Sequence, residues 1–315
     1  MAIGLGLTVA AAGSGLALGQ RQPTIAVFTK NLTNPAYEAF RIGADKVARA
    51  ENARVVHYVP RRPDSVEEQT AEVEQALTDK PDIILFTPVD DSAMAGPVKR
   101  LNDANIPIVL FTNRLPGKFV TFVGSDDVDL GYKEAVYLFN YLGGAGQIVI
   151  IEGVPAAPTN RDRLHGYQRA LAEFPGITVL ASGVGNYQRL DGRDAMARML
   201  KEHARIDAAL VANDSMALGV LDALKEADRS AIVMSINGVI EAVKQVESGA
   251  ILATVDFNMF KIACLATQAA LRHLRGEKVP DKILLPTEII DKSNYRSFLT
   301  PVADRPSPAW DDFVR

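Results

Sequence analysis

Cysteine is almost absent from this chain. One residue, Cys264, occurs among 315, so no intrachain disulfide can form and no Cys-based metal site is expected. Cys264 sits in an apolar helical pattern and reads as a small core residue. Histidine is also scarce. His57, His165, His203 and His273 are scattered without ligand spacing, and none stands where a metal ligand or catalytic base is expected. No basic run is present, and 34 Lys and Arg against 38 Asp and Glu leave a net charge of −4, which argues against a nucleic-acid partner. No Ser-His-Asp set or P-loop is visible. Gly143-Gly144-Ala145-Gly146 precedes a strand and does not follow one, so it reads as a loop and not as a phosphate cradle. No catalytic residue, metal or cofactor is expected.

Apart from residues 1–20, no apolar run is long enough to cross a membrane. Met1–Gln20 is apolar, rich in Gly and Ala, and uncharged. It is similar to the apolar core of a secretory signal, with Ala17 and Gly19 as the small residues before a cut at Gln20. We expect an export signal. A buried first helix or membrane anchor is the alternative, weakened by its glycines.

What the chain does contain is one unit repeated: a short apolar β-rich run, a polar turn, and an amphipathic helix. Strands are expected at Thr24–Thr29, Arg54–Val59, Asp82–Phe86, Ile106–Phe111 and Phe119–Val123. Helices are expected at Tyr37–Ala50, Ser65–Leu77 and Ser92–Ala104. After Gly124-Ser125-Asp126-Asp127 the pattern begins afresh. The second half has strands at Gln147–Ile151, Thr178–Ala181, Ala209–Ala212, Ala231–Ile236 and Ala253–Val255. Its helices are expected at Leu130–Leu142, Leu164–Phe174, Asp191–His203, Ser215–Ala227, Val239–Glu247 and Lys261–Leu274. A polar loop through Arg161-Asp162-Arg163 is expected before Leu164, and one extended stretch at Ile283–Ile290. The strands lack in/out alternation, as strands covered on both faces do. The alternation of strand and helix implies parallel sheets with helices on both sides. The fold class is therefore α/β, in two similar lobes. Ligands of such sheets sit at the carboxyl ends of the strands, which directs attention to the polar turns. Asn213 and Asp214 illustrate the ambiguity, because both are also good helix caps.

Four stretches carry a resemblance: N-L-T-N-P-A-Y at Asn31–Tyr37, A-N-I-P-I-V-L-F-T-N-R at Ala104–Arg114, N-R-D-R-L-H-G-Y at Asn160–Tyr167, and N-D-S-M-A-L-G-V at Asn213–Val220. In this order and spacing the chain resembles the periplasmic sugar-binding proteins of the ribose-binding type, which serve ABC importers, from about Thr24 to about Ile290. The resemblance implies two flavodoxin-like lobes joined by three hinge strands. We expect residues 1–20 to be a signal peptide. The N-terminal lobe is expected at 24–125 plus 258–286, the C-terminal lobe at 126–257 plus 287–300, and a peripheral tail at 301–315.

The resemblance also implies roles. Asn34 matches a ligand-contacting Asn and Tyr37 an aromatic neighbour, with Ala36 in the companion aromatic position. Thr87 stands at a polar contact position, and Asn113-Arg114 resembles an Asp-Arg pair. Arg161 matches the loop arginine that reaches the ligand, Tyr187 an aromatic wall and Asn213 an amide contact. Asn237 stands where Asp is usual. Phe257 stands where Gln is common, with Asp256 before it as a substitute polar group. Lys30 is a further candidate cation, or else a side chain snorkelling at the rim. Arg161 and Arg163 also fit a solvated pair.

Such groups suit a hydroxylated ligand. Hydroxyls both donate and accept, so amides, carboxylates and guanidinium groups hold them in fixed geometry. With Asn113 and Asn237 in place of carboxylates, and Lys30, Arg114 and Arg161 as cations, the cleft reads as short of negative charge. That leaves open a sugar acid, or a polyol held mostly by amides. The expected function is a binding protein, not an enzyme, periplasmic and monomeric. It would deliver a carbohydrate-like ligand to a permease in the inner membrane. A partner of a chemoreceptor or sensor kinase is the alternative. A repressor-type effector domain is less favoured, because only about two dozen residues, nearly all uncharged, precede the first strand, too few for a DNA-binding helix-turn-helix.

Overall fold

The computed structural model describes residues 21–314. The expected export signal at residues 1–20 lies outside the described residues, as does Arg315. In chain order the first half runs β1 (Thr24–Phe28), α1 (Pro35–Ala50), β2 (Arg54–Tyr58), α2 (Val66–Asp79), β3 (Ile83–Phe86), α3 (Ala95–Asp103), β4 (Ile108–Phe111) and β5 (Thr121–Gly124). The second runs α4 (Asp127–Tyr141), β6 (Ala145–Glu152), α5 (Pro158–Glu173), β7 (Gly176–Val184), α6 (Arg189–Glu202), β8 (Ala208–Val211), α7 (Asp214–Glu226), β9 (Ile232–Asn237), α8 (Ile240–Ser248) and β10 (Ala253–Asp256). Then come α9 (Met259–Leu274), β11 (Lys282–Leu284) and β12 (Glu288–Ile290).

Two six-stranded sheets form, in the orders β11-β5-β4-β3-β1-β2 and β12-β10-β9-β8-β6-β7. Every pairing is parallel except the antiparallel one between β10 and β12. With β11 and β12 set aside, both sheets have the same strand order, 2-1-3-4-5 in the numbering of each half, which is the flavodoxin-like winding. The repeat read in the sequence is thus a repeat in space. The central strands are buried along their whole length: Ile83, Ile84, Leu85 and Phe86 of β3 are each 0% exposed. Helices cover both faces, so continuous apolar runs replace alternation.

The chain passes from one sheet to the other three times, at Gly124–Asp127, Asp256–Met259 and Leu284–Glu288. After the second passage α9 returns to the first lobe and packs on α1. There Gly43 allows contact so close that a Cβ would lie 2.8 Å from the Phe260 carbonyl oxygen. The stretch expected to be extended over Ile283–Ile290 is in fact two short strands, one in each sheet. Pro286 stands between them, and it lacks the N–H that a continuing ladder requires. The terminal segment is held against the first lobe. Lys46 Nζ donates to the carbonyl oxygens of Ala303 and Arg305 (3.1 and 2.6 Å), and the Arg272 guanidinium lies over the Trp310 ring.

In the second lobe, α4 and α5 meet at a seam of glycines. A Cβ on Gly131 would sit 2.4 Å from the Arg163 carbonyl oxygen, and one on Gly166 would sit 2.3 Å from that of Val128. Both contacts are with backbone, so neither neighbour can swing aside. Overpacking of this kind costs about 1–3 kcal/mol, against a gain in helix propensity of ~0.8–1 kcal/mol for Gly to Ala. Gly166→Ala is therefore expected to be net destabilising, by up to about 2 kcal/mol, in urea unfolding followed by circular dichroism. A variant as stable as the parent would show that the seam has slack.

Candidate functional site

The turns after the strands bring polar side chains from both lobes into one narrow cavity of about 30 Å³. From the first lobe come Asn31, Asn34 and Tyr37, after β1; Asp64, after β2; and Thr112, after β4. From the second come Thr159 and Arg163 of α5, Tyr187 after β7, Asn213 after β8 and Asn237 at the end of β9. Phe257 and Met259 close it from the second crossing. A larger groove, about 290 Å³, lies outside along α1, the start of α8 and Pro301–Arg305. It shares Ala36, Asn237 and Met259 with the cavity but takes no residue from the turns after β2, β4, β7 or β8. The inner cavity is the candidate site.

Much of its wall is fixed by bonds the residues make with their own turns. Asn34 caps α1, its Oδ1 accepting from Ala36 N (3.0 Å), and Pro35 takes the first helical position, where no N–H is needed. Asn213 caps α7 by accepting from Met216 N (2.9 Å), and its Nδ2 donates to the Tyr187 carbonyl oxygen (3.2 Å). Capping and site geometry are thus one arrangement, not alternatives. The Tyr187 hydroxyl is 3.1 Å from Thr159 Oγ1. Thr112 Oγ1 is 2.7 Å from Thr87 Oγ1. Several of these residues have positive φ: Thr112 at 56°, Tyr187 at 58° and Asn237 at 141°. For a β-branched residue such as Thr112 this conformation is strained, at about 1–3 kcal/mol, and strain of this kind gathers at functional sites.

The family profile described as the periplasmic binding protein domain matches residues 25–278. The chain belongs to the periplasmic binding protein family. It is 29% identical over 271 residues to the ribose import binding protein of Bacillus subtilis, covering 86% of this chain and 88% of that one. It is 30% identical over 302 residues to the xylitol-binding protein of Mycolicibacterium smegmatis, covering 93% and 84%. Among solved structures, it is similar to an ABC transporter periplasmic solute binding protein from Actinobacillus succinogenes with bound D-allose. The TM-score is 0.83 at 28% identity, over 88% of this chain and 100% of that one.

Of the residues singled out from the sequence of this periplasmic binding protein, Asn34, Tyr37, Tyr187, Asn213, Asn237 and Phe257 line the cavity. Lys30 and Thr87 stand just behind the wall, bonded to Asp64 and Thr112. Asn113 spans the lobes: its Nδ2 donates to the Pro88 carbonyl oxygen (2.9 Å) and its Oδ1 accepts a long bond from Thr159 N (3.4 Å).

Three expectations need correction. Arg114 is exposed and lies over the outer ring of Phe122. Asp256 lines the outer groove, with its carboxylate accepting from Asn258 N (2.8 Å). Arg161 sits at the rim, where Nη2 donates to Asp91 Oδ2 (2.6 Å). The arginine in the cavity is Arg163, 3% exposed. The reason is local. The expected loop through 161–163 is the first turn of α5, begun by Pro158. On a helix, positions 160, 163 and 167 share a face and 161 points elsewhere. Asn160, Arg163 and Tyr167 are accordingly buried.

The cavity is also not short of negative charge. Lys30 Nζ is 2.9 Å from Asp64 Oδ1, and Arg163 Nε donates to Asp127 Oδ1 (2.9 Å) while Nη1 donates to the Ala212 carbonyl oxygen (2.6 Å). Neither Asp64 nor Asp127 was singled out from the sequence. One lies in a Pro-Arg-Arg-Pro-Asp turn that reads as surface loop, the other in the first turn of α4. Burial pushes the Asp127 carboxyl up to about 6, with Arg163 pulling the other way, so the pair is charged at neutral pH. Burial likewise raises the Tyr37 and Tyr187 phenols, which remain neutral donors.

Asp256 is also pushed up to about 6, chiefly by burial. Between pH ~4 and ~6 the folded protein holds a proton there that the unfolded chain has lost, so this group's contribution to stability falls as pH rises through that window. Asp256→Asn keeps an acceptor for Asn258 N and removes the titration. The variant and parent are expected to be alike near pH 4. By pH 7 the variant should be the more stable, by on the order of 1–3 kcal/mol, in urea titrations at pH 4, 5, 6 and 7. A constant difference at all four would overturn the assignment.

Proposed function

We propose that this protein is the substrate-binding component of an ABC importer. It captures an uncharged sugar or polyol between its lobes and delivers it to a permease of the inner membrane. The observation that carries this reading is the convergence of amides, hydroxyls, one guanidinium and aromatic rings from the strand ends of both lobes on a single cavity. Hydroxyl groups are met by paired donors and acceptors, and the apolar faces of the carbon skeleton by Tyr37, Tyr187 and Phe257. Leaving any of the buried polar groups unpaired costs ~1–3 kcal/mol, so ligands lacking a matching hydroxyl are rejected. The named ligands of its relatives, ribose and xylitol, and the D-allose in the similar structure, support the class.

The charge balance favours a neutral ligand over a sugar acid. Lys30 and Arg163 each already face a carboxylate, so an added carboxylate would meet Asp64 without gaining an uncompensated countercharge. The two lobes close by hinge motion about the three crossings. On this reading the protein is exported to the periplasm by its N-terminal segment, acts as a monomer and catalyses nothing.

A thermal-shift and calorimetry panel of D-ribose, D-allose, xylitol and the aldonates of the two sugars tests it. A neutral member is expected to raise Tm once its concentration exceeds Kd. Its aldonate should bind at least about tenfold more weakly, ~1.4 kcal/mol. Equal affinity for sugar and aldonate would refute the charge balance. No shift from any neutral compound at about 10 mM would refute the ligand class.

A further inference from the structure

The loop between β2 and α2 contributes one side chain to the cavity, Asp64, and it is held there from several directions. Its backbone N–H donates to the Lys30 carbonyl oxygen (3.0 Å). Its Oδ2 accepts from Asn31 Nδ2 (3.1 Å). Lys30 Nζ approaches Oδ1 to 2.9 Å. The base of the loop is clamped by Arg62, which bonds Glu67 and Glu68, and by Ser65, which caps α2. Asp64 itself is at φ 56°, a conformation that Asp tolerates better than most residues.

This carboxylate is 9% exposed at the side chain, yet Oδ1 receives no directed hydrogen bond. The Lys30 contact is an ionic approach without hydrogen-bond geometry, so acceptor capacity on Oδ1 is left over within the cavity wall. Lys30 is 1% exposed, and its ammonium lies 5.8 Å from the centre of the Tyr187 ring of the other lobe. Burying such a pair is expensive, and well-packed apolar residues in its place are often as stable or more so. Stability therefore gives no reason for a lysine and an aspartate here, while an acceptor aimed at a ligand does.

We propose that Asp64 is a ligand-contacting, specificity-determining residue: Oδ1 accepts a hydrogen bond from one ligand hydroxyl, and Lys30 holds the carboxylate charged and oriented without touching the ligand. The inference rests on the proposed function and adds to it a demand on the substrate: a hydroxyl directed at the first lobe's β2–α2 loop, across the cavity from Arg163.

The test is a cycle between protein and ligand. D-ribose, D-allose and xylitol are titrated calorimetrically into the wild type, and the tightest binder and its monodeoxy analogues are then titrated into wild type and Asp64→Asn. Asp64→Asn is expected to weaken the parent ligand at least tenfold. One deoxy analogue should lose at least tenfold on the wild type and no more than about twofold on the variant, a coupling that a merely structural residue would not produce. Lys30→Met with Asp64→Asn removes the ion pair, while Asn tolerates the φ of 56° and keeps an acceptor for Asn31 Nδ2. This double variant should melt no lower than the wild type while its affinity for the parent ligand falls at least tenfold, which separates binding from folding. Wild-type affinity in Asp64→Asn, or equal losses for every analogue on both proteins, would overturn this inference alone. Failure of all three compounds to bind the wild type would overturn it together with the ligand class.

Discussion

A buried guanidinium needs a countercharge close at hand, and the surroundings of Arg163 are arranged to supply one. Moving such an ion out of water costs several kcal/mol even after relaxation, so its neighbours must all be in place at once. Asp127 supplies the countercharge from the first crossing between lobes. The end of β8 supplies a carbonyl oxygen through Ala212. Phe257, from the second crossing, has its ring centre 5.0 Å from the guanidinium. One side chain thereby ties two crossings and a central strand to the same point. The glycine seam between α4 and α5 sets the helix backbone that carries it, since a Cβ on Gly131 would strike Arg163 directly.

The contacts that join the lobes directly are of a different kind. Asp91 and Arg161 pair at the rim with side chains 25% and 44% exposed, and Thr33 Oγ1 donates to Gln188 Oε1 (2.8 Å). Exposed ion pairs contribute about 0–1 kcal/mol, and hydrogen bonds of this type about 0.5–1.5 kcal/mol. Closure built on such contacts is shallow. A ligand that touches both lobes can then decide the population by its own contact energy, because only differential affinity shifts such an equilibrium. Strong bonds lie within each lobe and weak ones between them, which lets each wall be rigid while the gap opens.

The order of strands and helices was legible in the sequence because nearly every unit obeys one rule: an apolar strand covered on both faces, then a polar turn, then an amphipathic helix. The turns therefore pointed to the edge of each sheet where the cavity lies, and Asn34, Tyr37, Tyr187, Asn213, Asn237 and Phe257 line it. Direction within a turn was less legible. Asn160-Arg161-Asp162-Arg163 reads as loop by composition, yet Pro158 starts a helix there, and a shift of two residues on a helix turns a side chain by about 200°. Asp64 was invisible for another reason. It belongs to a charged Pro-rich turn with the composition of a surface loop. Contacts with residues more than 30 positions earlier, the backbone bond to Lys30 and the bond from Asn31 Nδ2, fold it inward. Asp256 and Phe257 are adjacent on a strand end, so they face opposite sides. The ring takes the cavity and the carboxylate the outer groove.

Positive φ at Asp64, Thr112, Tyr187 and Asn237 gives the site a second common property. Each of these residues leaves a strand or enters a helix where a glycine would be the easier choice, and each has a side chain on the cavity wall. Glycine would relieve the backbone and remove the contact. Holding a non-glycine residue there costs about 1–3 kcal/mol per position, which the sheets and helix caps on either side sustain. The same rigidity means that a ligand need not order these groups when it binds, and the entropy of ordering side chains is a large part of what weak association loses. In the proposed site, selectivity for one pattern of hydroxyls would follow from the stiffness of these turns as much as from the chemistry of the side chains they carry.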